Sequence, residues 1–267
     1  MRIVALARHP VKGLSPEPLT EAVLTAGDYF PGDRLYAIEN GPSGFDFADP
    51  RWAPKIRYVM LMRDERLAEF QTRYDDATST LIVSQDGEEA VRGDLSTREG
   101  RAEIAAFFAP LRRDDMHGPT KVLAAPPGFR FTDSTKGFVS LINQASLDAL
   151  ALTLRRPVDA RRMRGNILLD GLAPWAEFDL VGKTLAIGEA RLKVTQRIQR
   201  CAATNVDPDT GKRDMEIPHV MERAYDHADC GVYARVARGG RIAVGDVAVV
   251  EQGDLLAANG ASPRPGA

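Results

Sequence analysis

Cysteine is scarce: Cys201 and Cys230 are the only two in 267 residues, and neither lies in a CxxC pair. That excludes a disulfide framework and a four-cysteine iron–sulfur cluster built by this chain alone. A reduced compartment is the simple inference, with a single bridge between the two thiols left open. The four histidines, His9, His117, His219 and His227, are too scattered for a zinc motif. No apolar run approaches the ~18 residues of a membrane span. The apolar stretch Met1 to Ala7 is too short for a signal-peptide core, so a cytoplasmic location is expected. Neither sign of charge dominates: 35 basic against 37 acidic residues leave a net charge of −2. General nucleic-acid binding or membrane adhesion is therefore not indicated. There is no Walker loop, no GxGxxG and no nucleophile elbow.

What the chain does have is apolar material, 44% of its residues, enough for one large domain or two intimate ones. Short strand-like pieces recur: Arg2 to Ala7, Leu19 to Leu24, Arg34 to Glu39, Tyr58 to Met62, Ile167 to Asp170, Thr184 to Ile187, Arg191 to Thr195, Gly231 to Val236 and Asp246 to Glu251. Ala68 to Val83 reads as a hairpin, with Glu65 to Thr72 alternatively a short helix. Helices are few. One is capped by Ser96 or Thr97 and runs to Phe108. A second starts at Ser146, with Leu147, Leu150, Ala151 and Leu154 on one face. Pro218 to His227 gives a short third. Many strands with few helices predict an α+β, mainly β, barrel-like architecture. The Pro/Gly-rich stretch 109–130 is the best seam. It divides an N-terminal β-rich subdomain, 1–115, from a second domain, 116–252, and the Gly/Ala/Pro/Ser-rich residues 253–267 read as a disordered tail.

The stretch Gln199 to Gly211 carries the chemistry. Cys201 follows an alternating apolar run and precedes the turn Asp207-Pro208-Asp209-Thr210-Gly211. Arg197 and Arg200 lie close before it, and cationic neighbours favour the thiolate, the form that attacks or ligates metal. A buried, inert cysteine is the competing reading. Arg-Cys, four residues, then Val-Asp-Pro-Asp-Thr-Gly resembles the core motif of the MOSC domain family. The branch it resembles contains the mitochondrial amidoxime-reducing component and its bacterial relatives.

Other elements resemble the same family in the expected order, from Ile3 to Val250. Lys12-Gly13 resembles its Pro-Val-Lys-Ser element, with Gly13 in place of the serine. Gly32-Asp33-Arg34 resembles its Gly-Asp-Arg element. Leu141 to Leu147 resembles the stretch ahead of its first helix, where Asn143 and Ser146 stand near a helix N-terminus suited to anions. Arg164 and Asn166 match an Arg-Pro-Asn element, with Gly165 replacing the proline and loosening the backbone. If that segment is extended, Arg162, Arg164 and Asn166 share a face. Taken singly, each of these residues is also explained by a solvated charge, an ion pair or a helix cap. Trp175-Ala176-Glu177 reads as structural.

The resemblance implies an N-terminal β-barrel subdomain packed with a β-barrel-like MOSC domain holding a molybdenum–molybdopterin cofactor. It implies Cys201 as the metal ligand. Lys12, Gly13, Arg34, Asn143, Ser146, Arg164, Asn166 and Arg200 would be cofactor-binding, and Asp207 would act beside Cys201. The implied reaction is reduction of N-hydroxylated compounds to amines or amidines. Electrons would come from a separate ferredoxin- or cytochrome-type redox protein. A non-enzymatic cofactor carrier or sulfur-transfer module is the alternative.

Overall fold

Residues 190–199 alternate inward apolar and outward polar side chains over their first half, and that segment becomes one of the two longest strands in the largest sheet. The computed structural model describes residues 1–111, 118–136 and 138–251. The expected disordered tail, 253–267, and His117 lie outside the described residues.

The chain begins with β1 (Arg2–Arg8), β2 (Glu17–Leu19), β3 (Glu21–Leu24) and β4 (Tyr36–Asn40). The meander β5 (Phe70–Asp75), β6 (Thr80–Gln85) and β7 (Glu88–Asp94) follows, then helix α1 (Arg98–Phe108) and β8 (Thr120–Ala124). Next come β9 (Val139–Asn143), α2 (Gln144–Leu154), β10 (Ile167–Asp170), β11 (Thr184–Ile187) and β12 (Ala190–Gln199). Helix α3 (Ile217–Tyr225), β13 (Asp229–Arg238), β14 (Gly240–Ala243) and β15 (Ala248–Val250) close the described chain. Fifteen strands against three α-helices among the described residues make the fold α+β and mainly β.

Eight strands form one sheet in the order β15-β11-β12-β13-β9-β10-β1-β2. Within it β9 and β10 run parallel, with Ile167 opposite Leu141, and β1 closes on β10 antiparallel, with Leu6 opposite Ile167. The first strand of the chain thus completes a sheet built from its second half, and β3 likewise pairs with β14. Sequence order and spatial order part company here. One face of the large sheet buries Ile3, Leu6, Leu141, Ile167, Leu192, Val194 and Val232 in a common core. Each such side chain contributes roughly 1.5–3 kcal/mol on leaving water. The other face is covered by α2 and α3 through Ile142, Leu147, Leu150, Met163, Ile217 and Met221. A separate core under β4, the meander and α1 contains Ile38, Leu67, Phe70, Leu81, Ile104 and Phe108, and Val206 from the loop after Cys201 reaches into it. That loop therefore straddles two cores.

Several elements differ from expectation. Tyr58 to Met62 is not a strand: it follows a 3-10 turn, Lys55–Arg57, and makes one bridge, Tyr58 to Glu39, before Arg63 and Asp64 turn back on the Met60 carbonyl. Pro54, lacking a donor, begins that turn. Glu65–Glu69 takes the helical option as a 3-10 turn capped by Asp64. Helix α2 starts two residues before Ser146, because Asn143 accepts from the Ala145 amide and caps it. Strands β7, β8, β9 and β14 had no period-two signal of their own.

Candidate functional site

The regular alternation of β12 breaks where the site begins. Its register against β13 shifts between Val194 and Gln196 and again between Arg197 and Gln199. Such bulges re-aim side chains. In consequence Gln196, Arg197, Ile198 and Gln199, which a regular strand would divide between two faces, all border one cavity of about 520 Å³. Cys201 follows directly. It is a free thiol, half-buried on the cavity wall, at the head of a 3-10 turn over Ala202–Asn205. Its carbonyl accepts from the Thr204 amide at 3.0 Å and the Thr204 hydroxyl at 2.9 Å, which fixes the backbone carrying the sulfur.

Two arginines from distant parts of the chain complete the wall. Arg34 has φ of 51° and Arg164 has φ of 51° as well, both in the left-handed region. Non-glycine residues held there store strain of about 1 kcal/mol or more, a pattern common at ligand sites. Arg34 therefore stands in a turn ahead of β4 and does not open the strand. Its guanidinium pairs with Asp33 and donates to the Arg164 carbonyl at 3.2 Å. Burial works against the charge on Arg34, but Asp33 holds it above its ordinary value. Burial would likewise raise Asp33, yet Arg34 and His9 hold its carboxyl below the usual range. Arg164 is different. Its guanidinium has no hydrogen-bond or ion-pair partner among the described residues. Burial, then the charge of Arg34, lowers it to about 10, so it stays a cation at neutral pH. A half-buried cation on a cavity wall without a counter-ion is an open position for an anion.

Beneath the pair lies His9, fully buried, 3.4 Å from Asp33 through Nδ1 and with Nε2 unpartnered. Burial, with Arg164 and Arg34 nearby, pushes it to about 3, so it is neutral. No motif marked this histidine; it was read only as one of four scattered ones.

The remaining expected residues divide. Asn166 borders the cavity, but its side-chain oxygen takes the Ser140 amide and hydroxyl at 3.0 and 2.8 Å, tying β9 to the segment before β10. Arg200 borders it too, with its guanidinium bound to the carbonyls of Met163 and Cys230. Lys12 does not line the cavity. It is buried behind it, donating to the Phe131 carbonyl at 3.0 Å and pairing with Asp133, which does line it. Desolvation lowers Lys12 from its ordinary value against the pull of Asp133. Gly13 packs at 2.9 Å (measured from an added Cβ) against the Val59 carbonyl, so its bareness serves the chain packing.

Asn143 and Ser146 also lie away from the cavity. The Asn143 amide donates to Glu177 at 2.9 Å and to the Ala173 carbonyl at 2.8 Å, and the Ser146 hydroxyl bonds Glu177 at 2.7 Å and the Trp175 amide at 2.8 Å. Every buried side-chain polar atom there has a partner. Asp207 is a clamp: one oxygen takes the Thr210 amide at 2.8 Å, the other takes Arg162 at 2.8 Å. Arg162, not Asp207, reaches the cavity wall. The extended segment expected from Arg162 to Asn166 is absent, because Ala160–Met163 forms a 3-10 turn, yet Arg162, Arg164 and Asn166 all border the cavity. Gly165 is no loosened joint either; an added Cβ would meet Ile142 at 2.4 Å. Cys230 is fully buried and burial pushes its thiol up to about 12. Both cysteines are free.

The cavity can therefore hold an anionic, planar ligand of moderate size beside one thiol. Among the described residues no cluster of three His, Cys, Asp or Glu could hold a bare metal ion. A metal here would need most of its ligands from an organic carrier. No helix among the described residues is long and apolar enough to cross a membrane.

Residues 1–112 match the family model of the MOSC N-terminal beta barrel domain, and residues 129–249 match that of the MOSC domain. Mitochondrial amidoxime-reducing component 1 of Mus musculus is 34% identical over 118 residues, 40% of this chain and 34% of that protein. Mitochondrial amidoxime reducing component 2 of Rattus norvegicus is 31% identical over 120 residues, 40% of this chain and 35% of its own length. The match thus spans about a third of these relatives. Among solved structures, the YUAD protein from Bacillus subtilis aligns over 92% of both chains at 11% identity, with a TM-score of 0.42.

Proposed function

The chain belongs to the MOSC domain family, and from that membership together with the cavity we propose that it is a molybdenum-cofactor-dependent oxidoreductase. The reaction proposed is R–NHOH + 2 e⁻ + 2 H⁺ → R–NH₂ + H₂O, or the corresponding step from amidoxime to amidine. The observation that carries it is Arg164. A half-buried guanidinium without a partner faces the same space as a free half-buried thiol, with Arg34 beside it. That donor set fits a molybdopterin-type group: cations for its phosphate, a soft thiolate for a metal already bound by sulfur. When bound, the cofactor supplies two-electron redox chemistry.

The chain's own residues divide the remaining work. Cys201 offers the one protein ligand to the metal, from a backbone fixed by Thr204. Arg164 and Arg34 hold the anionic part of the cofactor. Asp33 and neutral His9 keep Arg34 aimed. Lys12 acts at one remove, by fixing Asp133. Asn166, Arg200 and, through Arg162, Asp207 are positioning residues. Asn143, Ser146 and Gly13 support the frame. Two cysteines cannot build a four-cysteine iron–sulfur cluster, and delivery of the electrons is assigned to a ferredoxin- or cytochrome-type redox protein. A cytoplasmic setting suits two free thiols.

Elemental analysis on parent and Cys201→Ala protein from a cofactor-competent host tests the assignment, followed by hydroxylamine reduction with reduced viologen. Molybdenum near one per parent chain, lost in the variant, with turnover only in the parent, is expected. Equal metal in both proteins removes Cys201 as ligand. Metal without turnover makes the protein a cofactor carrier.

A further inference from the structure

The cavity has an outer wall that the cofactor reading leaves unused. The loop before the 3-10 turn Lys55–Arg57 puts Trp52, Pro54 and Lys55 on the cavity lining. Trp52 is 45% exposed, unusual for an indole, yet it is held: Nε1 donates to the Thr132 carbonyl at 3.3 Å. Thr132 and Asp133 line the cavity next to it. Lys55 is half-buried, and its ammonium has no hydrogen-bond or ion-pair partner among the described residues. Of the other wall cations, Arg164 is assigned to the cofactor and the rest are occupied. Arg162 is matched by Asp207 and Asp214. Arg34 is matched by Asp33, and Arg197 lies over the Phe178 ring at 4.3 Å. Asp133, whose carboxyl lies near enough to feel Lys55, is already taken by Lys12.

Resting on the reductase reading, we propose that Trp52 and Lys55 form the specificity wall for a substrate that is both aromatic and anionic: an N-hydroxylated amidine or amine on a planar ring bearing a carboxylate. The indole supplies a rigid apolar platform tethered at one edge, and ring stacking favours a planar partner over a chain. Lys55 supplies a point charge to a carboxylate at the ring's far edge, where it stays in contact with water. A neutral aliphatic hydroxylamine uses neither group.

Three amidoximes separate the terms: acetamidoxime, benzamidoxime and 4-carboxybenzamidoxime. On molybdenum-loaded protein with reduced viologen, the parent is expected to prefer the carboxylate compound in kcat/KM. Lys55→Ala lowers the charged-over-neutral ratio roughly 2- to 5-fold, the range of a solvated ion pair. Trp52→Ala lowers the aromatic-over-aliphatic ratio by about 2- to 10-fold. Binding is read independently of turnover, as quenching of tryptophan emission by 4-carboxybenzamidoxime, with Trp52→Phe assigning the signal. Quenching that weakens in Lys55→Ala, with molybdenum content unchanged, supports the wall. Equal quenching by the charged and neutral rings, or none, overturns it. Loss of molybdenum in Lys55→Ala also overturns it, since Lys55 would then hold the cofactor. If no amidoxime is turned over, the reductase reading fails, and the quenching still decides whether this wall selects aromatic anions.

Discussion

Two polar clusters sit at opposite ends of strand β9, and they are unlike in state. At one end Asn143, Ser146, Glu177 and the Gly231 amide close on one another with every buried donor and acceptor matched. At the other, near Ser140, Arg34 and Arg164 stand in left-handed backbone around a cavity, and one guanidinium has no partner. Both were drawn from family-like motifs, and only the second faces open space. A satisfied buried network holds a fold together, whereas an unpaired charge on a cavity wall is free to take an anion.

The largest effect belongs to the closed cluster. Glu177→Ala strips acceptors from the Asn143 amide, the Ser146 hydroxyl and the Gly231 amide, all buried. Orphaned donors cost about 1–3 kcal/mol each before relaxation, so a loss near 3–4 kcal/mol in urea unfolding is expected. A loss under 1 kcal/mol would break the comparison, because this cluster would then not be structural.

Arg164→Ala sharpens it from the other side. Removing an unpaired, half-buried cation leaves stability unchanged or raised, while the bound anion loses charge-assisted hydrogen bonds of roughly 1.5–3 kcal/mol, at least about a tenfold loss in affinity. Molybdenum per chain after extensive dialysis, set against the unfolding midpoint, reads both at once. A variant that unfolds early and keeps its metal would reverse the assignment.

This contrast also marks what could be read without coordinates. Alternation and turn residues sufficed for β1, β10, β11 and most of β12, because each buries one face. They failed for β9, whose five residues are all buried and carry no period. They failed at Tyr58 to Met62, where apolar side chains fill a core without a strand. Within the site, Cys201, Arg34 and Arg164 were legible by spelling, whereas Gln196 to Gln199 depended on two bulges that no residue type announces. Asn143 and Ser146 lie off the cavity, and a helix N-terminus looks the same in sequence whether Glu177 fills it or solvent does. Lys55 and Trp52 carried no pattern at all; only their positions on the cavity wall distinguish them.

His9 lies on the open side and gives that cluster a pH signature. Its folded value, about 3, is below the ordinary 6.5. Between those values the unfolded chain binds a proton that the folded chain refuses, so stability falls as pH drops from about 6.5 toward 3. The slope from this one group approaches about 1.4 kcal/mol per pH unit in that window. Urea unfolding at pH 7, 5.5 and 4.5 should show a steeper decline in the parent than in His9→Gln. Parallel curves would mean that His9 is protonated in the folded protein and that Arg34 and Arg164 do not crowd it.

The smallest effect separates the two thiols. Cys230 is packed among Ile142, Leu147, Met163 and Ile217, and burial keeps it protonated, so only unfolding exposes it. Cys201 borders the cavity. Iodoacetamide on metal-free native protein should add one group, at Cys201, and a second only in denaturant, as read by peptide mass. Cys230→Ala removes a small buried side chain and should cost about 1 kcal/mol, with molybdenum content and native labelling of Cys201 unchanged. Were Cys230 labelled at the same rate as Cys201 under native conditions, α2 and α3 would not seal that face of the sheet. The difference between an open and a closed cluster would then be a matter of local opening and not of satisfied bonds.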